Sequence, residues 1–400
     1  MRVHGVPIPH PGPTVSYGMW LVGYLHNNNG MGTWCWEAAH ALAHAGEPVT
    51  LVCSDTVTLP GLTTLPIMRI AATRGRASKV EKIHGELRRM SAAGPPMMYE
   101  AIQLLEREGT TVRIALLNAT EFYDPRITVP QLVTAWAQGV TARAYTARLR
   151  IHLRGLSRQS VRAVTGAIGW WRKDWRAFRG ADVILSVTSP LATELRSHGV
   201  AAMLLHPCTH AAAAAPVQRP AGVPVRLLMT AASLDEPRKR VGWMLDAMRA
   251  IPANTCVLTL VGEASDVLRR QADRLACPVD FTGPLSRDDV MRVMRDNDVF
   301  VFGSLLDDWG YVITEAMGQG LAVVAPRLAP FDEIVGETGL LYDAVDPNAF
   351  RRTIIEMLPQ VESARLASWR RAQSAFSRDV FVARLREIVA AHDAAQTPHR

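Results

Sequence analysis

The sequence has little of what would tie it to a membrane, to a disulfide-bonded secreted fold or to a structural metal. Its 400 residues include only five cysteines, which are widely spaced and contain no CxxC pair. Such a set argues against a disulfide framework and against a zinc site, so we expect buried free thiols. No apolar run approaches the roughly 18–20 residues that a membrane helix needs. The sequence therefore predicts a soluble protein.

Leader and nucleic-acid signals are also missing. The first thirty residues contain several prolines and no apolar segment followed by a cleavage site, so we expect a cytoplasmic location. No base-reading module or basic aromatic RNA-binding pattern is present, so nucleic acid is not an expected partner. No metal-ligand spacing is present either, and we expect no metal and no cofactor.

What is present is ordinary globular composition, with 48% hydrophobic and 20% charged residues. A chain of 400 residues is too long for one compact core, because domains typically hold about 100–200 residues. The sequence therefore predicts two domains.

Positive charge is concentrated in the first half of the chain. Residues 1–200 carry 22 Lys and Arg against 13 Asp and Glu, whereas residues 201–400 carry 22 against 24. The densest part is 143–179, where ten basic residues face one aspartate and three tryptophans are interleaved. This stretch fits a solvated helix whose arginines cover an apolar seam, and it also fits a peripheral contact with an anionic membrane or acceptor.

Short β-rich runs alternate with helix-length segments, which is typical of parallel α/β units. In the first half we predict a helix at 33–46 and strands at 19–25, 48–54, 112–119 and 181–188. In an alternative start, residues 1–8 form the first strand. In the second half we predict helices at 243–251, 266–276, 287–297 and 361–394, and strands at 225–232, 256–262, 279–283 and 299–304.

The alternation stops in a small, Pro-spotted segment, which we interpret as a linker at 208–224. It would join an N-terminal Rossmann-like domain (1–207) to a C-terminal one (225–374). A helix at about 375–396 would pack back on the first domain. Ligands of such sheets bind outside the carboxyl ends of the strands, so we expect the site in the cleft between the domains.

One stretch carries the chemistry of that cleft. Residues 305–324 read LLDDWGYVITEAMGQGLAVV, with carboxylates at Asp307 and Glu315. We predict a helix that begins near Gly310 and whose amino end favours an anion such as phosphate. The two carboxylates could hold two hydroxyl-bearing parts of one long ligand. On the motif alone, a capping Asp and a Glu bound by a neighbouring helix are an equal alternative.

This stretch resembles the signature of retaining GT-B glycosyltransferases, family 4-like (glycosyl transferases group 1). In that family an acidic residue, seven others and a Glu precede AMxxGxxVV, and here Asp307 and Glu315 precede AMGQGLAVV. NNNGMGTWCWEAAHALAHAGEPVTLV, SLDEPRKRVGWMLDAM and PFDEIVGETGLLYDAVDP resemble further segments in the family's order. The resemblance implies a GT-B architecture of two Rossmann-like domains facing across a cleft, with acceptor bound by the first and donor by the second.

The resemblance also implies roles for individual residues. Glu315 would bind ribose hydroxyls, Asp307 the donor sugar and Lys239 the departing diphosphate. The implied donor-binding residues are Gly30, Gly32, Ser233, Gly262, Pro284, Leu285, Gly310, Tyr311, Val312 and Glu315.

The sequence departs from the family at two places. Ser233 stands where the family usually has an Arg, and Arg238 or Arg240 are the residues that could replace its charge. The end of the first-domain strand lacks the family's His. The candidates for the acceptor site are His26, Glu121 and Asp124.

We therefore expect a retaining glycosyltransferase that moves a sugar from a nucleotide-diphosphate donor, with a UDP-sugar favoured. The acceptor would be a hydroxyl of a small molecule, a natural product or a lipid. Two alternatives stay open: a sugar-nucleotide epimerase or hydrolase of the same fold, and a non-catalytic homologue that binds nucleotide sugar or membrane.

Overall fold

The computed structural model describes residues 20–24, 30–54, 59, 64–70, 114–116, 183–197, 201–220, 224–305, 307 and 309–396. The predicted strand at 1–8 and the basic stretch at 143–179 lie outside these residues. The five cysteines are all free and buried, as expected.

The N-terminal half contains a four-stranded parallel sheet of order β3-β2-β1-β4. Its strands are β1 (Trp20–Tyr24), β2 (Val49–Ser54), β3 (Ile67–Ile70) and β4 (Ile114–Leu116), and helix α1 (Gly30–His44) joins β1 to β2. A second, two-stranded parallel sheet pairs β5 (Ile184–Ser186) with β6 (Ala202–Leu204) around helix α2 (Ser189–Ser197). Helix α1 begins three residues before the predicted start, so Gly30 and Gly32 lie in its first turn rather than in a preceding loop.

The C-terminal half is built on a six-stranded parallel sheet of order β12-β11-β10-β7-β8-β9. The strands are β7 (Val225–Ser233), β8 (Cys256–Glu263), β9 (Val279–Gly283), β10 (Val299–Val301), β11 (Ala322–Pro326) and β12 (Leu340–Tyr342). Strand order reverses between β7 and β10. In a doubly wound sheet this reversal opens a crevice at the carboxyl ends of the two strands, where ligands bind.

Helices cover both faces of this sheet. They are α3 (Val241–Met248), α4 (Asp266–Ala272), α5 (Arg287–Asp296), α6 (Tyr311–Gly318), α7 (Phe331–Val335), α8 (Pro347–Met357), α9 (Val361–Phe376) and α10 (Arg378–Gln396). Every residue of β10 and β11 is buried, which explains their continuous apolar sequences.

The tail that the sequence predicts as one helix is two helices. Ser377 separates α9 from α10 because its backbone is extended, with φ −68° and ψ 158°. Phe376 and Ala372 of α9 pack into the core of the C-terminal half. Phe381 and Leu385 of α10 instead pack with the N-terminal half, in the same cluster as residues of α1. Helix α10 therefore packs on the N-terminal half.

The Pro-spotted segment between the halves is held in place by hydrogen bonds. The Tyr311 hydroxyl donates to the Cys208 carbonyl at 2.8 Å. The backbone N–H of Ala212 donates to the Gly318 carbonyl at 2.8 Å, and the Trp369 indole donates to the Ala212 carbonyl at 2.9 Å. The segment is thus fixed to α6 and α9 on the C-terminal half.

No helix among the described residues has the length and apolarity required to cross a membrane.

Candidate functional site

The site lies at the reversal of strand order, where two loops follow the carboxyl ends of β7 and β10. The loop after β7 carries Arg238, Lys239 and Arg240, and the loop after β10 carries Asp307. The loop after β10 leads into the amino end of α6, and the two loops meet at Asp307. The predicted position of the site is therefore the crevice that the sheet topology opens.

Asp307 is the point where two cations converge. Its Oδ2 accepts a hydrogen bond from Lys239 Nζ at 2.7 Å and another from Arg238 Nη1 at 2.9 Å. Burial alone would raise the pKa of Asp307, but the charges of Lys239 and Arg238 outweigh it and lower the pKa below the ordinary aspartate value. The structure thus assembles one ionised carboxylate between two cations.

Close backbone packing holds these two loops together. The Leu305 N–H donates to the Arg238 carbonyl at 3.2 Å. A side chain at Gly303 would place its Cβ 2.6 Å from the Lys239 carbonyl oxygen. Only glycine allows this approach, so Gly303 fixes the position of Lys239 relative to the end of β10.

The structure separates the two arginines that could replace the missing family charge. Arg238 lies on Asp307, whereas Arg240 Nε donates to the Gly303 carbonyl at 2.7 Å and its guanidinium stacks on Trp243 at 4.1 Å. Arg240 is therefore a structural residue beneath the loop, and Arg238 is the arginine that faces the site.

The amino end of α6 supplies backbone donors. Gly310 precedes the helix with φ 77° and ψ 51°, a left-handed conformation that favours glycine. Tyr311 and Val312 occupy the first turn, where backbone N–H groups have no partner within the helix and the helix dipole favours an anion. The predicted start of α6 near Gly310 is confirmed.

Glu315 lies one turn further along α6 and is buried, with 8% of its surface exposed. Its Oε1 accepts a hydrogen bond from Arg287 Nη1 at 2.7 Å. Burial raises the pKa of Glu315 above its ordinary value, although the charge of Arg287 opposes the shift. Asp307 and Glu315 therefore have different environments in one crevice.

Arg287 extends the site across the cleft. Its Nη1 also donates to Thr33 Oγ1 at 3.1 Å, and its Nη2 donates to Glu37 Oε1 at 3.0 Å, both on α1. Arg378 of α10 donates to Glu37 Oε2 at 2.6 Å. Sequence reasoning missed this ion-pair network, because its members are far apart along the chain and share no motif.

A second missed cluster links α2 to α7. The carboxylate of Glu333 accepts a hydrogen bond from the Ser189 hydroxyl at 2.7 Å, and its Oε1 lies 2.7 Å from His206 Nε2. Burial raises the pKa of Glu333, but the hydrogen bonds from His206 and Ser189 outweigh it and lower the pKa overall. The His206 ring packs on Trp309, with ring centroids 5.1 Å apart, so this cluster borders the loop that carries Asp307.

The other predicted donor-binding residues of the C-terminal half lie at or just after the carboxyl ends of β7, β8 and β9. Ser233 ends β7, and Gly262 lies near the end of β8. Pro284 is exposed and Leu285 is half-buried in the turn between β9 and α5. Three predicted acceptor residues, His26, Glu121 and Asp124, lie outside the part of the chain that the structure describes.

Comparison with known proteins relates the C-terminal half of the chain to one family. Residues 225–360 match the family model described as "Glycosyl transferases group 1". A phosphatidyl-myo-inositol mannosyltransferase of Mycobacterium tuberculosis (strain ATCC 25618 / H37Rv) is 37% identical over 119 residues, which make up 28% of this chain. The match spans about a third (31%) of the length of that relative.

Solved structures match over a much larger part of the chain. Sucrose-phosphate synthase from Thermosynechococcus elongatus superposes with a TM-score of 0.61 at 17% identity, covering 94% of this chain and 99% of that one. HepE from Anabaena, solved in complex with UDP and glucose, superposes with a TM-score of 0.58 at 14% identity, covering 94% of this chain and 100% of that one.

The chain therefore has the GT-B fold, with two Rossmann-like domains that face each other across a cleft. Within this fold class, residues 225–360 are similar to the group 1 glycosyl transferases. The fold that the sequence predicts is confirmed.

Proposed function

We propose that this protein transfers a sugar from a nucleotide-diphosphate donor to an acceptor hydroxyl, with retention of the anomeric configuration. The observation that carries the proposal is the convergence of Lys239 and Arg238 on Asp307 at the amino end of α6. Glu315 lies about 6 Å further along the helix axis, at 1.5 Å per residue. This spacing suits a ligand with a diphosphate between two hydroxyl-bearing groups.

The cations and the helix end act on the leaving group. The nucleotide diphosphate gains negative charge as its bond to the sugar breaks, and preorganised positive groups stabilise that charge. Lys239 and Arg238 supply two full charges, and the first-turn N–H groups of Tyr311 and Val312 supply oriented dipoles. The backbone at Gly30 and Gly32, in the first turn of α1, would approach the phosphates from the other domain.

The two carboxylates act on the two sugars of the donor. Asp307 would accept hydrogen bonds from hydroxyls of the transferred sugar, since its cation partners leave it ionised. Glu315 would accept from the vicinal hydroxyls of the ribose. The turn at Pro284 and Leu285 would meet the base, while Ser233 and Gly262 would line the diphosphate.

Retention follows if the acceptor attacks from the face that the leaving group departs. The bond from the anomeric carbon to the phosphate oxygen breaks, the bond to the acceptor oxygen forms, and the acceptor proton passes to the departing phosphate oxygen. No protein nucleophile is needed, and we nominate none.

A hydroxyl on a lipid headgroup is the acceptor class that we favour. The relative from M. tuberculosis is named for its action on phosphatidyl-myo-inositol, and the first half of this chain carries the excess of positive charge. His26, Glu121 and Asp124 stay our candidates for contacts with the acceptor. The protein would then act from the cytoplasm, at the surface of an anionic membrane.

The test measures acceptor-dependent release of nucleotide. A thermal-shift screen of UDP, GDP, ADP and dTDP first identifies the base, and UDP is the first probe because HepE was solved with it. The matching sugar donors are then incubated with and without phosphatidylinositol vesicles, and the anomeric configuration of the product is read by NMR.

Lys239→Met should abolish most release, while Arg292→Gln, an exposed arginine on α5, serves as the control. Release that does not need acceptor would indicate a hydrolase or epimerase. An inverted product would contradict the proposed retention.

A further inference from the structure

Glu315, the carboxylate proposed to bind the ribose, already has a hydrogen-bond partner within the protein. Glu315 Oε1 is bonded to Arg287 Nη1 at 2.7 Å, and a carboxylate offers about four acceptor positions in all. One bond to Arg287 therefore leaves capacity for the two hydroxyls of a ribose. It also limits the rotation of the carboxylate.

Arg287 itself is anchored by its helix. It is the first residue of α5, and the preceding Ser286 caps that helix by accepting a hydrogen bond from the Asp289 N–H at 3.2 Å. The backbone of Arg287 is thus fixed at the start of a capped helix. Its guanidinium can then reach α6 on one side and α1 on the other.

The far side of the guanidinium belongs to the N-terminal domain. Nη2 donates to Glu37 Oε1 at 3.0 Å, and Nη1 donates to Thr33 Oγ1 at 3.1 Å. Glu37 is only 2% exposed, and its second oxygen is held by Arg378. Arg287 therefore bridges a fixed anchor on α1 and the carboxylate on α6.

We propose that Arg287 is a positioning residue that holds the Glu315 carboxylate in one orientation for the donor ribose, through an anchor on the N-terminal domain. The inference rests on the proposed function. It makes nucleotide recognition by the C-terminal domain depend on the contact of Arg287 with α1 of the N-terminal domain.

The charges around Glu315 predict how the loss of Arg287 would change the pH dependence of nucleotide binding. Arg287 of α5, Glu37 of α1 and Tyr311 of α6 face it, and Arg378 of α10 and His210 contribute to the same cluster. Without Arg287, burial and Glu37 would both raise the pKa of Glu315 with no opposing charge beside it. The ribose-binding carboxylate would then be lost as pH falls, at a higher pH than in the wild type.

The test measures the Kd of UDP, or of whichever diphosphate the wild type binds, by calorimetry at pH 6 and pH 8. In Arg287→Gln we expect binding at pH 6 to be about tenfold weaker than in the wild type, with a smaller loss at pH 8. Arg287→Lys should restore part of the affinity, because it keeps the charge without the two-sided geometry. Arg292→Gln on the same helix is the control and should change nothing.

A double variant separates positioning from direct contact or misfolding. If Arg287 acts through Glu315, Arg287→Gln should add little to the loss already caused by Glu315→Gln. An additive further loss would overturn the inference, and so would wild-type affinity of Arg287→Gln at both pH values. If the wild type itself binds none of the diphosphates, the proposed function fails and this inference fails with it.

Discussion

Asp307 is half-buried and Glu315 is buried, and their surroundings shift the pKa values of the two carboxylates in opposite directions. Lys239 and Arg238 lower the pKa of Asp307, whereas burial raises the pKa of Glu315 despite the bond to Arg287. Asp307 is thus an ionised group that would compete with a bound diphosphate for Lys239 and Arg238. Burial disfavours the ionised form of Glu315, and this carboxylate lies where the ribose is proposed to bind.

Replacing Asp307 should separate binding from transfer. In Asp307→Asn, Lys239 and Arg238 lose their anionic competitor, so we expect the affinity for nucleoside diphosphate to be equal or higher. Transfer should fall by about 10²–10³-fold, the usual cost of removing one oriented polar group from a reacting centre. Calorimetry and nucleotide release measure the two effects, with Asp273→Asn as an exposed control. If Asp307→Asn lost nucleotide affinity and transfer activity by the same factor, the proposed role of Asp307 in binding the transferred sugar would be contradicted.

The raised pKa of Glu315 predicts how stability depends on pH. Between its ordinary value of 4.5 and its raised folded value, the folded state binds more protons than the unfolded state, so stability falls as pH rises through that window. Glu315→Gln should remove this loss, and its free energy of unfolding relative to the wild type should rise with pH there. Denaturant unfolding at pH 4.5 and at pH 7 checks this. A relative stability that falls with pH would contradict the burial argument.

Sequence spacing could predict some of these residues and not others. Asp307, Glu315 and Lys239 were predictable, because each lies in a segment that follows a buried strand and resembles a family motif. Arg287 was not predictable. Its role depends on partners 28 and 250 positions away, which only the packing of α1 and α6 brings together.

At the level of elements, the amino end of α6 depends on the left-handed backbone of Gly310. We expect Gly310→Ala to cost about 1–2 kcal/mol of stability, because an L-residue is strained in this conformation. It should also weaken nucleotide binding, because the first-turn N–H groups would shift. Thermal unfolding and calorimetry measure the two effects.

Gly46 provides the matched control for this change. It has φ 79° at the end of α1, with open space where a Cβ would lie. Gly46→Ala carries the same backbone strain without the 3.1 Å contact that a Cβ at Gly310 would make with Ile313 Cδ1, so it should cost no more stability and should leave nucleotide binding intact. If Gly310→Ala and Gly46→Ala bound the nucleotide with equal affinity, the amino end of α6 would not contribute to nucleotide binding.

Long helices and strands were predicted more accurately from the sequence than short strands. β9 was predicted at its observed bounds, and β7, β8 and α5 to within one residue. β3 and β6 were missed, since strands of four and three residues show no readable alternation. β10 ends at Val301, three residues before the predicted end, although residues 302–304 are buried and the Phe302 N–H still donates to the Val324 carbonyl at 2.8 Å.

For the whole molecule, the return of α10 to the N-terminal domain makes the chain end a structural part of both domains. Leu385 is 1% exposed and packs in the cluster that contains Cys35 and Leu42 of α1. Leu385→Ala should cost about 2–5 kcal/mol of stability, as expected for a buried leucine. Glu387→Ala, on the exposed side of α10, should cost less than about 0.5 kcal/mol. Chemical unfolding measures both, and equal costs would contradict the packing of α10.

The central claim is that one nucleotide diphosphate spans the crevice, with its ribose hydroxyls on Glu315 and its phosphates on Lys239 and Arg238. The most direct test compares the Kd of UDP with that of 2′-deoxy-UDP for the wild type and for Glu315→Gln. We expect the wild type to bind the deoxy compound about 10–100-fold more weakly, as for loss of a hydrogen bond to a charged group. The variant should bind both compounds with similar, weak affinity. If the variant still discriminates between them as the wild type does, the ribose does not bind at Glu315 and the account is wrong.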